Sequence, residues 1–253
     1  MAAAAGVKGT ALPRLLAAVL LLGGWQALAL SGLLFRDVVP PLQKIFMGLI
    51  GVLADPAFYS NLTVTLAELL VAMLVGGGAG LLIGLALGGS RFLARAFERW
   101  VDWLGPTPKI VLFPVMLMLV GVGPESKMAM GAVSCFFPMA LSVAGGVRGV
   151  DAALLRVGRS FRASPWQLLT KITFPAMAAS LVNGARLGFS VALIGVLLAE
   201  TKLSNKGVGF MIITAYQRFD MPRMYALLIM SVAVAAGVNM LTGHAAAKLG
   251  GQR

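Results

Sequence analysis

Five apolar runs, each long enough to cross a bilayer, constrain this chain more than anything else in it. A spanning helix needs roughly 20 predominantly apolar residues. The runs are Leu15–Phe35, Leu69–Gly89, Met128–Val147, Ala176–Ala199 and Met224–Leu241. In hydrocarbon each backbone amide must be satisfied inside its own segment, so runs of this length are read as helices. Only 12% of the 253 residues are charged, against about 25% in soluble domains. Residues 1–253 therefore read as one all-α polytopic membrane domain.

A sixth, shorter run lies at Ile110–Val122 and holds Pro114. Its length suits a re-entrant segment. Extended back through Trp103 and Leu104 it becomes a tilted span broken by proline, which membrane helices tolerate. The second reading gives six spans. Ahead of the first run, Lys8, Arg14 and the Ala27-Leu28-Ala29 sequence resemble a secretory signal. The apolar stretch is too long for a signal core and continues past that motif, which favours a retained span. Between the first two spans, residues 40–55 open on Pro40-Pro41 and carry Leu42, Ile45, Phe46, Leu49, Ile50, Val52 and Leu53 at helical spacing. Too short to span, this segment reads as a helix lying at the outer interface.

Six spans place both termini on one side. That side would carry twelve Lys/Arg, from Lys8 through the 148–175 loop to Lys248 and Arg253, against seven on the other, Arg36 among them. Positive charge concentrates on the cytoplasmic side, so both termini and the 148–175 loop are expected in the cytoplasm. The net charge of +12 does not point to nucleic acid, because the basic residues are scattered between apolar runs and form no single stripe.

Within the second span, Gly76, Gly80, Gly84 and Gly88 repeat every four residues with Ala72 in phase. Small residues at that spacing let two backbones approach closely, either inside the chain or at a dimer seam. The fifth span carries Ser180, Asn183, Arg186 and Ser190 on one arc, with Gly184, Gly188 and Gly195 on a neighbouring arc. A charge such as Arg186 near mid-membrane costs about 2.5–3.5 kcal/mol on insertion scales. It must face carbonyls or a translocation path rather than lipid. Glu200 closes the span, either lining an outer vestibule or simply solvated.

The longest polar interruption, Arg148 to Pro175, holds five Lys/Arg (Arg148, Arg156, Arg159, Arg162, Lys171) and one acid, Asp151. Asp151 can cap a first helix through Phe161 that displays Arg156, Arg159 and Arg162. Ser164, Pro165 and Gln167 then spell a capping box with proline at the first helical position. The second helix is expected to end before Pro175. Trp166, Leu168 and Leu169 give it an apolar face, suited to a partner's groove or to the membrane surface with the arginines on anionic lipid.

The order of these motifs resembles the permeases of binding-protein-dependent ABC importers. Their cytoplasmic E-A-A-x3-G-x9-I-x-L-P loop aligns on Ile172-Thr173-Phe174-Pro175, with Ala163-Ser164-Pro165-Trp166-Gln167 matching the family's Ala-Ser-x-Trp-Gln. Thr65-Leu66, Pro106-Thr107-Pro108-Lys109, Pro114, Gly121-Val122-Gly123, Gly184-Ala185-Arg186-Leu187, Ala199-Glu200 and Gly207-Val208-Gly209 resemble the nitrate/sulfonate/taurine branch. The resemblance implies a type I importer permease fold with a permease core over 61–241. It implies an ATPase dimer docked on Arg156, Arg159, Arg162, Ala163–Gln167, Lys171 and Pro175, and an external (periplasmic or extracellular) solute-binding protein. It also implies a second permease copy, or a different second permease, and an address in the bacterial inner membrane. Asn183, Arg186, Ser190 and Glu200 are the expected pathway residues. Two positions depart from the pattern: Arg156 replaces the family's glutamate and Arg162 its glycine. A non-glycine residue at that bend costs about 1–2 kcal/mol in a left-handed conformation, so either the bend differs here or the loop tolerates strain.

The chain contains no G-x-x-x-x-G-K-[ST] phosphate loop, so ATP is expected to be bound by the partner subunit and no cofactor by this one. His244 is the only histidine and Cys135 the only cysteine, which argues against a metal centre and against an intramembrane hydrolase. A proton-coupled secondary transporter is the alternative. Its relay would need embedded acids, and Glu68, Asp102 and Glu200 all fall at span edges.

Overall fold

Helix boundaries follow the caps more closely than the hydropathy. The computed structural model describes residues 11–33 and 38–250. Lys8, Phe35, Arg36 and Arg253 lie outside the described residues, as do the side chains of His244 and Lys248. Every regular element described is helical.

The chain divides into two compact units, residues 1–58 with 211–230 and residues 59–210 with 231–253. In the first, α1 (Ala11–Leu30) starts ahead of the apolar run with Pro13 in its first turn and stops at Leu30, before Gly32 turns left-handed at φ +69°. The helix α2 (Leu42–Ala54) occupies the expected interfacial segment and buries Ile45 and Val52. Gln26, which interrupts the first apolar run, accepts the Leu42 amide at 3.0 Å, and the Trp25 indole donates to the Pro40 carbonyl at 3.1 Å. These polar side chains tie the entry of α2 to α1. Tyr225 stacks edge-on against Trp25 at 5.3 Å, and Arg223 pairs with Asp55.

The helix α3 (Pro56–Gly89) runs 34 residues and begins well before the expected Leu69. Hydropathy missed Ser60, Asn61, Thr63, Thr65 and Glu68. The cap did not: Asp55 accepts the Ala57 amide at 2.9 Å, with Pro56 at the first helical position, a start signal that polar residues downstream do not weaken. A π turn over Met73–Gly77 interrupts it.

The second unit is built around α6 (Pro124–Arg148), which packs between α3 and α9 (Ala178–Lys202). A Cβ on Gly131 of α6 would overlap Ala72 of α3 and Val196 of α9 together. The four-residue glycine ridge of α3 is the first of these seams. Added Cβ atoms at Gly80, Gly84 and Gly88 would stand 2.6 Å from Phe136 O, Ala140 O and Val147 Cβ, and one at Gly76 would overlap the Ala132 carbonyl. The ridge is therefore used inside the chain.

The short apolar run is the second half of a broken span, and the break is not at Pro114. The helices α4 (Arg91–Leu104) and α5 (Lys109–Val120) meet at 93°. The break lies at Gly105–Pro108, while Pro114 sits harmlessly in the first α-helical turn of α5. Contacts along α6 show which way the pair runs. Glu98 pairs with Arg148 at one end of α6, Gly105 abuts Leu141, and Lys109 lies 5.0 Å from the Phe137 ring. Phe113 then clusters with Met130 and Ala199, after which Gly121–Gly123 leads into Pro124. The bent pair thus traverses α6 from end to end, one broken span rather than a re-entrant loop. With α1, α3, α6, α9 and α11 (Met221–Gly250) it gives six crossings among the described residues.

Candidate functional site

The loop between α6 and α9 is held by caps at each of its bends. Asp151 accepts the Ala153 amide at 2.7 Å and starts α7 (Ala152–Ser160). Two hydrogen bonds close the far end of α7: Arg162 N to Arg159 O at 2.9 Å and Ala163 N to Gly158 O at 3.1 Å. This pairing is a Schellman cap, which requires a left-handed residue. Arg162 supplies it at φ +53°, so the bend is kept and the loop carries the strain. Arg162→Gly is expected to stabilise the loop by about 1 kcal/mol. Amide exchange at Ala163, corrected for intrinsic rate, should slow roughly fivefold. Unchanged exchange there would sink the strain argument.

Beyond the bend, Ser164 Oγ accepts the Gln167 amide at 3.2 Å and Gln167 Oε1 accepts the Ser164 amide at 2.8 Å, the expected capping box, with Pro165 in the first turn. Pro175 does not end the second helix. That helix, α8 (residues 165–176), passes through it and breaks at Met177. A π turn over Leu169–Thr173 ends two residues before the proline, and its wider winding relieves the clash with the carbonyl four residues back.

The two loop helices meet at Gly158, where a Cβ would stand 2.6 Å from Leu168 Cδ2 and 2.7 Å from Ile172 Cδ1. Leu168 and Leu169 are consequently half-buried and not part of an open face. The side chains left in the open are Leu154, Val157, Phe161 and Trp166, with Phe161 83% and Trp166 70% exposed. Arg156, Arg159, Arg162, Gln167, Lys171 and Pro175 are exposed as well, and Ala163 partly so.

In the membrane, Asn183, Arg186 and Ser190 share an arc of α9, and Arg186 and Ser190 face α11. Ser190 Oγ donates to the Arg186 carbonyl at 3.1 Å and accepts from Asn239 Nδ2 at 3.2 Å. The guanidinium of Arg186 lies near Gly243, and its Nε is buried with no partner among the described residues. Asn183 is exposed.

A different arc of α9 lines a cavity of about 320 Å³ at the break between α4 and α5, and none of the four expected pathway residues lines it. Its walls include Thr107, Lys109, Met130, Ser134, Ile194 and Leu198. The Lys109 ammonium donates to the Gly105 and Thr107 carbonyls freed by the break. Its neighbour Phe137 falls at the middle of the 25-residue α6, so this charge sits near mid-membrane. Lys109 was visible in sequence as a charge beside two prolines within an apolar stretch, a signal that marks broken membrane helices.

Glu200 is neither solvated nor open to a vestibule. It is fully buried. Its Oε1 accepts from Thr65 Oγ1 at 2.7 Å and its Oε2 from the Gly209 amide at 2.6 Å. Thr65 Oγ1 also accepts the Val208 amide at 2.8 Å, and Asn61 Oδ1 the Gly207 amide at 2.7 Å. The first orphan amides of α10 (Val208–Gln217) are thus capped across the chain by α3 and α9, with a carboxylate at the positive end of the helix. Glu68, one turn beyond Thr65, is also buried rather than at an edge and lies in range of Glu200 and Lys127.

Residues 76–250 match the family described as binding-protein-dependent transport system inner membrane component. A putative aliphatic sulfonates transport permease protein of Bacillus subtilis, SsuC, is 27% identical over 228 residues, covering 90% of this chain and 81% of the relative. The taurine transport system permease protein TauC of Escherichia coli is 26% identical over 200 residues, covering 77% and 73%. In three dimensions, a chain of the MetNI methionine ABC transporter in an inward-facing conformation superposes with a TM-score of 0.61 at 17% identity, covering 82% of this chain and 97% of that one. This last likeness concerns the fold.

Proposed function

Because the chain belongs to the family of binding-protein-dependent transport system inner membrane components, we propose that its 148–175 loop docks a separate ATPase and its spans form the solute path. The chain is the transmembrane permease subunit of an ATP-driven importer of the inner membrane, and it is not itself an enzyme. The rival reading, a proton-coupled secondary transporter, finds no support in these relationships.

The observation that carries the docking proposal is the capped loop that leaves Phe161 and Trp166 exposed. Exposed aromatics on a pre-ordered pair of helices lose little entropy on binding and are apt anchors for a partner's groove. Arg156, Arg159 and Arg162 beside them favour an acidic groove. Two copies of the chain would enclose the path, with both termini in the cytoplasm, as the charge count and six crossings support. Two relatives are named for aliphatic sulfonates and taurine, which favours a small organic anion as solute, delivered by an external binding protein. Binding of ATP to the partner would close its dimer, move the docked loop and turn the path outward. Hydrolysis would reset it.

The test is affinity purification of the tagged chain from its native membrane in mild detergent. An ATPase subunit should co-purify, and Phe161→Asp with Trp166→Asp should abolish its capture while leaving the chain's own yield intact. Capture unaffected by the double change would overturn the docking surface. Capture of a second, different permease would overturn the two-copy arrangement.

A further inference from the structure

Helices break inside a membrane only where protein or a water-filled cavity satisfies the freed backbone; at Gly105–Pro108 the Lys109 ammonium does so, beside a cavity. Lys109 occupies two of its three N–H donors on the Gly105 and Thr107 carbonyls. No carboxylate among the described residues pairs with it, and the cavity wall holds no acid. A lysine held near mid-membrane, over the Phe137 ring and with no carboxylate paired to it, is a functional-site candidate in its own right. The opposite wall is different in kind. Met130, Ile194 and Leu198 are apolar, with Ser134 and Thr107 the hydroxyls nearby. The position also suits a path, since broken helices place free backbone groups and charged ligands at mid-membrane.

We propose that this cavity is a way station for a small organic anion, its acidic head on Lys109 and a short apolar body against Met130, Ile194 and Leu198. The proposal rests on the permease reading and deepens it. It moves solute recognition within the membrane from the Arg186 arc, which faces α11, to the break between α4 and α5. A volume of about 320 Å³ has room for an acid of a few carbon atoms. Charge at one end and hydrocarbon at the other disfavour both bare inorganic anions and sugars, because neither offers apolar surface to the α9 wall.

The test uses the full chain with its co-purified ATPase, in nanodiscs of zwitterionic lipid so that no lipid anion competes. Thr107→Cys places a thiol in the cavity, and the native Cys135 is fully buried, so the unsubstituted chain gives the background. A methanethiosulfonate bearing an ethylsulfonate should modify Thr107→Cys roughly tenfold faster than one bearing an ethyltrimethylammonium, the effect of a single nearby cation at reduced dielectric. Lys109→Gln should erase that preference. Butanesulfonate should protect the thiol against either reagent, and butanol should not. Equal rates for the two reagents, a preference that survives Lys109→Gln, or no protection by butanesulfonate would each overturn the site. Protection is measured with Lys109 intact, so the proposal stays exposed even if Lys109→Gln does not fold. Failure of the ATPase to co-purify would overturn the docking proposal instead, and the two failures are read separately.

Discussion

Alanine at Gly76 is expected to cost the chain about 3 kcal/mol or more, although it adds a single methyl group. The added Cβ would overlap the Ala132 carbonyl of α6 and stand 2.6 Å from both Ala132 C and Cα. All three are backbone atoms, so no side-chain rotation relieves the clash and the two helices must part. Overpacking a core commonly costs 1–3 kcal/mol, and more where rigid elements face each other. Parting α3 from α6 would also loosen Gly80 and Gly84 on the same ridge. The control lies two residues away: a Cβ on Gly78 meets nothing within 4 Å, so Gly78→Ala should be neutral or stabilise by about 0.5–1 kcal/mol through helix propensity. Thermal unfolding of the purified variants in detergent separates the two. Equal midpoints for the two alanine variants would refute the packing argument.

Glu200→Ala should be nearly as damaging, on the order of 3 kcal/mol, without touching any surface a solute could reach. The change leaves the Gly209 amide without its acceptor and the Thr65 hydroxyl with only the more distant Asn61 carbonyl at 3.3 Å, in a fully buried site. Each buried polar group left unsatisfied costs about 1–3 kcal/mol. The α10 N-terminus also loses its carboxylate. Glu200→Gln keeps an acceptor and should recover about half of the loss. Glu68→Gln should be harmless, since Glu68 Oε2 is buried without a partner and the amide keeps the size of the side chain. Unfolding midpoints and surviving membrane yield measure all three. A Glu200→Ala chain as stable as the parent would mean the bracket does not hold α10.

Much of the 148–175 loop was legible in the order of its residues. Capping is local, so Asp151 two residues before Ala153 and Ser164 three before Gln167 could form only a few alternatives, and the expected ones formed. The strain at Arg162 was legible too, as a choice between two outcomes. Helix α8 continues past Pro175 because the cost of a proline depends on the winding of the preceding turn, and a π turn leaves little trace in composition. The start of α3 was misread because hydropathy scores Asn61, Thr65 and Glu68 as solvent-facing. Their spacing of four and three residues put them on one arc, but what that arc would meet was not written locally.

The residue pattern alone thus establishes the helical class, the crossings long enough to span and the capped bends of the loop, because each depends on neighbours within a turn or two. Tertiary structure decided everything that depends on which arcs meet. It turned the glycine ridge inward onto α6, buried Glu200 as the cap of α10 rather than a pathway acid, directed Arg186 to α11, and opened a cavity around Lys109. The physical reason is that in hydrocarbon a polar or small residue signals only that it requires a partner, and the partner is supplied by a helix far away in the chain.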